Sequence, residues 1–303
     1  MQLTMRDAFF DRLFEIASSD HNVVVLTADF GSPSLDKFRD KLPAQYINIG
    51  ISEQNMISIA AGLALSGKKV YVYAILPFLI MRAYEQIKTD ICSMNLDVTM
   101  VGVGTGYSYN NAGDTHYAPQ DIALMRVLPN LTIWSPADSN SARNLALITY
   151  RHCEPQYIRL DRVKSYIDEY VSLNENGIWW REFGDDILII TTGIMIDTSL
   201  KVCEKLNKRK ISPSVYYVWR LKPLALEISK RYHHVVTIEE HYLEGGLGSI
   251  IAELIADSGQ DIKLKRFGLP LQFNENLGSR ESLHKLVGLD VESITQNIIR
   301  WLK

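Results

Sequence analysis

The sequence predicts an α/β fold made of two consecutive doubly wound domains, the first built on a mostly parallel sheet. Three observations lead there. Short apolar segments rich in β-branched residues alternate with longer helical ones through both halves, which is the pattern of parallel strands with helices on both faces. The rhythm breaks once, over residues 163–184. The chain has 303 residues, 47% of them hydrophobic, enough to build two cores.

The elements follow in order. Residues 6–19 read as a helix and residues 22–28 (NVVVLTA) as a buried strand. A short apolar segment at 46–49 runs into Gly50. A helix over 52–66 then carries Ile57, Ala60, Ala61 and Ala64 on one face. Strands are expected at 69–75, 97–104, 131–135 and 156–160, with helices at 80–94 and 138–151. Asp138 and Ser139 suit the start of the last helix as caps. The first domain spans 1–165. The stretch VKSYIDEYVSLNENGIWWREFG is mixed and polar, and 166–184 is expected to be the crossing between domains. The second domain, 185–303, has strand patterns at 186–192, 214–218, 235–239 and 263–267. A helix is expected after Gly245-Gly246-Leu247-Gly248, to about residue 257. No repeat of solenoid period is visible.

Composition narrows the function classes. The formal charge is −3 and no Lys/Arg stripe is visible, which argues against nucleic acid as a partner. The run KLNKRK at 205–210 reads as a solvated helix end. Cys92, Cys153 and Cys203 lie far apart, with neither metal-ligand spacing nor a disulfide framework, so a reducing, cytoplasmic setting is expected. No apolar run reaches membrane-spanning length, and no signal-peptide core is seen at the N-terminus, so no membrane role is expected. The glycines of EGGLGS could cradle an anion at a helix start. They lack a preceding Gly-x-Gly and a ribose acid, so tight packing is their simpler role.

Four residues invite a functional reading beside a structural one. Glu53 opens a helix whose inward positions are apolar. It either complements the helix dipole or is buried and needs a partner, since an unpaired buried charge is costly. Phe78 follows the 69–75 strand, where core packing competes with a ligand-facing loop. His116 lies in a polar Gly/Asn/Asp segment after a strand, a place that suits an active-site element. Arg162 closes the 156–160 strand, able to grip an anion bidentately or to make an interdomain ion pair. Arg159 is expected to make such a pair with a nearby acid.

Taken together, YINIGISEQNMISIAAGLALSG (46–67), PFLIMRAYEQI (77–87), NNAGDTHYAPQDIALMR (110–126) and PQYIRLDR (155–162) resemble the pyrimidine-binding half of a transketolase. The tail, including FGLPLQFNENLGSRESLHKL, resembles the C-terminal domain of that family. The resemblance covers roughly residues 5–290. It implies thiamine diphosphate as cofactor, whose thiazolium carbon must lose a proton and attack a ketose carbonyl. The aminopyrimidine acts as internal base only in its imino form, and an acid against a ring nitrogen favours that form. The resemblance gives that role to Glu53 and the stacking face to Phe78, with Ile51 and Asp29 as cofactor neighbours. It places His116 on a substrate oxygen and Arg162 on a substrate phosphate, with Arg82 and Arg6 as further phosphate contacts. Ile75 stands where relatives often carry another aromatic residue.

The chain also departs from the pattern. Ala112 replaces an aspartate that reads a sugar hydroxyl, Tyr117 replaces a glutamine, and Gly104 stands where many relatives carry a second substrate histidine. A different sugar or a bulkier acceptor is therefore plausible. No Gly-Asp-Gly occurs, although relatives use it to bind the cation that holds the diphosphate, so no metal ligand is assigned here. The expectation is a split enzyme. An N-terminal subunit would supply the diphosphate site and its Mg2+ or Ca2+, and the assembly would be α2β2. The reaction would move a two-carbon ketol group from a ketose to an aldehyde sugar. The alternatives are the beta subunit of a 2-oxo acid dehydrogenase, a deoxyxylulose-phosphate-synthase-like enzyme and a non-catalytic assembly subunit.

Overall fold

The computed structural model describes residues 3–29, 31–163, 176–182 and 184–303. The first half supplies strands β1 (Val23–Thr27), β2 (Tyr46–Asn48), β3 (Lys69–Ile75), β4 (Val98–Val103), β5 (Thr132–Trp134) and β6 (Gln156–Leu160). The second half supplies β7 (Ile178–Glu182), β8 (Ile187–Thr191), β9 (Pro213–Val218), β10 (Arg220–Lys222), β11 (His234–Tyr242) and β12 (Lys263–Leu269). They form two sheets. The first has the order β10-β5-β6-β4-β3-β1-β2 and is parallel except for β10. The second has the order β12-β11-β8-β9-β7 and is parallel except for β7. This is the expected architecture of two doubly wound units.

Every residue of β1, β4 and β6 is buried, as is fitting for parallel strands covered on both faces. Helix Met5–Ala17 packs beside helix Ser139–Arg151. The second of these starts on a reciprocal cap, in which the Asp138 carboxylate accepts from the Ser141 N–H and the Ser141 hydroxyl accepts from the Asp138 N–H. Helix Glu53–Leu65 buries Met56, Ile57, Ala60 and Ala61. The helix expected over 80–94 is broken into Leu76–Ile80, Tyr84–Gln86 and a wider π-turn at Ile87–Cys92. That break leaves Phe78 on the first piece and Arg82 in the turn that follows it.

The domain crossing differs from the expectation. Residues 164–175 and 183 lie outside the described residues. Of the rest, Ile178–Glu182 belong to the second sheet as edge strand β7, antiparallel to β9. The chain also returns to the first sheet. Strand β10 pairs antiparallel with β5, Ser135 N–H donates to the Trp219 carbonyl at 2.7 Å, and the Trp134 and Trp219 rings lie 5.2 Å apart. The second domain thus covers an edge of the first sheet that would otherwise be exposed. One hydrophobic cluster is continuous across the join, from Phe9 through Trp134 to Val215, Trp219 and Ile298.

Candidate active site

In an open parallel sheet, the loops leaving the carboxyl ends of the strands share one edge. Asp29 follows β1, Glu53 follows β2, Phe78 follows β3, Tyr109 and His116 follow β4, and Arg162 follows β6. Topology therefore brings Asp29, Glu53, Phe78, His116 and Arg162, all expected at the site, to a common rim with Tyr109, which the sequence reading did not single out.

Glu53 is 2% exposed. Its partner is Arg82, whose Nη1 donates to Glu53 Oε2 at 2.7 Å. The same guanidinium lies over the Phe78 ring, 4.9 Å from its centroid. Arg82 was expected at substrate phosphate; here it bridges the acid and the aromatic face. This arrangement is a test of fit for a pyrimidine. A planar, nitrogen-bearing group rests on Phe78 and directs an N–H at Glu53. An aminopyrimidine requires those two contacts. The residues present fit that half of the cofactor. Arg82 is the solvent-facing member of the pair, its side chain 45% exposed while that of Glu53 is 3% exposed.

The next residues continue outward from Phe78. The His116 ring stands edge-on to Phe78 at 5.1 Å and tilted to Tyr109 at 5.5 Å. His116 Nδ1 is 2.9 Å from Thr115 Oγ1, which leaves Nε2 as the ring nitrogen not engaged by that contact. Arg162 is exposed and rests on the opposite neighbour, 4.4 Å from the Tyr109 centroid. Arg6 lies behind this group, beside Asp7 at 3.2 Å and close to Tyr73. Burial alone would lower its affinity for a proton. The neighbouring Tyr73 and Asp7 outweigh burial and hold it above its ordinary value.

The cofactor neighbours sit at the rim. Asp29 is exposed and has a left-handed backbone, φ +55°. Its N–H donates to Asn48 Oδ1 at 3.1 Å, and the Gly50 N–H donates to the same oxygen at 2.9 Å. Asn48, not singled out in the sequence, thus ties the β1 turn to the turn before Glu53. Ile51 projects outward at 74% exposure.

Two departures from the family pattern acquire physical reasons. Tyr117 is buried, and its hydroxyl donates to the Asn110 and Asn276 carbonyls at 3.2 and 3.1 Å. It pins the His116 loop to the second domain. Asn110 Nδ2 to the Gly278 carbonyl (2.6 Å) and Asn274 N–H to Asp114 Oδ1 (3.1 Å) do the same. Gly104 has φ +105°, and a Cβ there would meet Tyr109 Cε2 at 2.2 Å.

Other charged residues prove structural. Arg159 makes a buried bidentate pair with Asp121 at 2.7 and 2.9 Å. Both belong to the first domain, so the expected interdomain pair is corrected to an internal one; His241 of the second domain packs against it. The glycine segment is filled from within. The N–H groups of Leu247 and Gly248 donate to the Glu239 carboxylate at 2.6 and 2.7 Å. A Cβ at Gly246 would lie 2.2 Å from Glu239 Oε2. Close packing is the role of these glycines, as the sequence implied. Among the described residues, no group of three or more His, Cys, Asp or Glu side chains is placed to hold a metal ion. Among the same residues, no helix is long and apolar enough to cross a membrane.

A buried acid, an aromatic face and a histidine thus lie together at the carboxyl edge of a parallel sheet. Comparison with known proteins gives the family. Residues 1–166 match the transketolase pyrimidine binding domain and residues 179–294 match the transketolase C-terminal domain. The chain belongs to the transketolase family, which is thiamine diphosphate dependent. It is 33% identical to a putative transketolase C-terminal section of Methanocaldococcus jannaschii, over 99% of this chain and 96% of that protein. It is 31% identical to one subunit of the apulose-4-phosphate transketolase of Phocaeicola vulgatus, over 99% of this chain and 98% of that subunit. Among solved structures it resembles one described as a split gene transketolase, inactive beta4 tetramer. The TM-score is 0.87, with 30% identity over 100% of this chain and 99% of that one.

Proposed function

We propose that this chain is the C-terminal subunit of a two-subunit transketolase-like enzyme. The enzyme transfers a two-carbon ketol group from a ketose donor to an aldehyde sugar. The observation that carries this reading is the Arg82 bridge between Glu53 and Phe78, because it marks the two contacts an aminopyrimidine needs. Thiamine diphosphate, when bound, supplies the carbanion chemistry that breaks and makes the carbon–carbon bond.

The chain's own residues supply position and protons. Glu53 would hold a pyrimidine nitrogen at the oxygen that Arg82 now occupies, and would give or take a proton there. Phe78 would support the ring by stacking, worth about 0.5–1.5 kcal/mol beyond area burial. His116, braced by Thr115 and the Phe78 edge, presents a ring nitrogen to the substrate oxygen at the reacting carbons. Arg162 and Arg6 hold the far end of the sugar, and Arg82 joins them once released from Glu53. Asp29 and Ile51 border the cofactor at the rim.

A separate N-terminal subunit carries the diphosphate site and its Mg2+ or Ca2+, and the working assembly is α2β2 in the cytoplasm. The inactive beta-only tetramer among the relatives supports dependence on a second chain. Purified with that subunit and thiamine diphosphate, the chain should convert a ketose and an aldehyde into products two carbons shorter and longer, read by mass. Alone it should bind thiamine diphosphate weakly and show no turnover. Robust turnover by the single chain, or use of pyruvate in place of ketose or hydroxypyruvate, would overturn the reading.

A further inference from the structure

Tyr109 takes no part in the pyrimidine contacts. It leaves the end of β4 in the turn before the His116 loop, and its ring occupies the space over Gly104. A Cβ at residue 104 would lie 2.2 Å from Tyr109 Cε2 and 2.6 Å from Cδ2. The side chain at 104 and the ring at 109 therefore exclude one another.

The surroundings of that phenol are those of a ligand contact. Arg162 stacks on its face at 4.4 Å and, among the described residues, makes no ion pair. His116 packs on another side at 5.5 Å. Arg6 is close enough to act on the phenol electrostatically, as is Arg162. The hydroxyl itself is buried and has no hydrogen-bond partner among the described residues. Such an orphan is costly, and native structures seldom keep one without a reason. Burial outweighs both guanidinium charges and keeps the phenol above its ordinary value, hence neutral and able to donate.

We propose that Tyr109 is a substrate-reading residue whose hydroxyl donates to a terminal oxyanion of the sugar, beside Arg162 and Arg6. Gly104 is glycine so that the ring can lie there. The chemistry that fits is phosphate-like, with two guanidinium groups for the charge and one neutral donor for direction. Tyr109 thereby also fixes Arg162, whose guanidinium the ring face holds by cation–π attraction. This deepens the proposed ketol transfer and rests on it only for the identity of the sugar.

The test has two arms, both on the full chain. In the first, inorganic phosphate is titrated into wild type, Tyr109→Phe and Gly104→Ala by calorimetry. Phenylalanine keeps the ring, the stacking on Arg162 and the filled space above Gly104, and removes only the hydroxyl. Wild type should bind phosphate saturably, and Tyr109→Phe about tenfold more weakly, the scale of one hydrogen bond to a charged group. Gly104→Ala, which displaces the ring, should lose at least as much. In the second arm, with the N-terminal subunit and thiamine diphosphate, Tyr109→Phe should raise KM about tenfold for a phosphorylated sugar. It should leave KM for the unphosphorylated sugar unchanged, and kcat should move far less than KM. No saturable phosphate binding by wild type, or equal binding by Tyr109→Phe, overturns the proposal whether or not the pair turns over. If phosphate binding depends on Tyr109 but the pair moves no ketol group, the proposed function fails and the Tyr109 site stands.

Discussion

Two clusters of arginines and acids lie within the same molecule and are built to different ends. At the seam between domains, Arg280 of the second domain donates to Asp161 at 2.7 and 2.9 Å and to Glu240 at 2.9 Å. Thr105 donates to Asp161 at 2.6 Å, and His284 lies 2.7 Å from Glu240. Side-chain exposures there are 2% for Asp161, 4% for Glu240 and 15% for Arg280. At the sheet edge, among the described residues, a single arginine meets Glu53, and the Arg162 guanidinium has only a ring against it. The seam is saturated and closed, whereas the edge is sparse and replaceable. Desolvated charges are tolerated when every lone pair is engaged. An acid whose only ion-pair partner among the described residues is a half-exposed arginine is one that can exchange it for a ligand.

Substitutions can break that contrast. The largest effect is expected at the edge. Glu53→Gln should cut ketol transfer by the assembled enzyme by about 10²–10⁴-fold, the range of a positioned acid–base group. Its unfolding midpoint should stay near wild type. Arg280→Met should do the reverse. It strands Asp161 and Glu240 without their cation, and denaturant unfolding should show a loss of about 3–5 kcal/mol. Phe78→Ala comes next, weakening thiamine diphosphate binding by the assembled enzyme about tenfold through lost stacking. Arg162→Met should change stability least, within about 0.5 kcal/mol, because no ion pair among the described residues depends on it.

Acid sharpens the same contrast. Burial alone would raise the Glu240 carboxyl, but the Arg280 and His284 charges outweigh burial and bring it from an ordinary 4.5 to about 2. Asp161 is also lowered, burial again being outweighed by Arg280. Acids held low in the folded state stabilise it above their unfolded value and lose that stabilisation as pH falls through the folded one. In wild type the seam's contribution should therefore be complete above about pH 4.5 and shrink as pH falls toward 2, whereas Arg280→Met, which leaves both carboxyls to the effect of burial, should not lose stability over that range for this reason.

The legible parts of this chain are those whose signal is local. Parallel strands such as Val98–Val103 and the cap at Asp138 declare themselves in a few residues. Glu53 and Phe78 are legible because each sits in a segment with a family pattern, and the fold brings them to one edge. What stays hidden depends on distant partners. Arg220–Lys222 forms a three-residue strand whose mate, Thr132–Trp134, lies in the other domain. The pairing of Arg82 with Glu53 joins residues 29 apart, and no spacing rule announces it. Tyr109 escapes a sequence reading because its meaning lies in an absence, the missing side chain at Gly104. Arg280 sits in a tail that speaks only through resemblance, with no hint that its charge is used up between domains.

The central claim is that Glu53 and Phe78 form the pyrimidine half of the pocket, with Arg82 holding their place. A structure of the chain with its N-terminal subunit and thiamine diphosphate tests it directly. The account predicts a Glu53 oxygen about 2.6–3.2 Å from a pyrimidine nitrogen, Phe78 against the ring, and Arg82 turned away toward the sugar site. A cofactor bound with the Glu53–Arg82 pair intact and the pyrimidine elsewhere would contradict it.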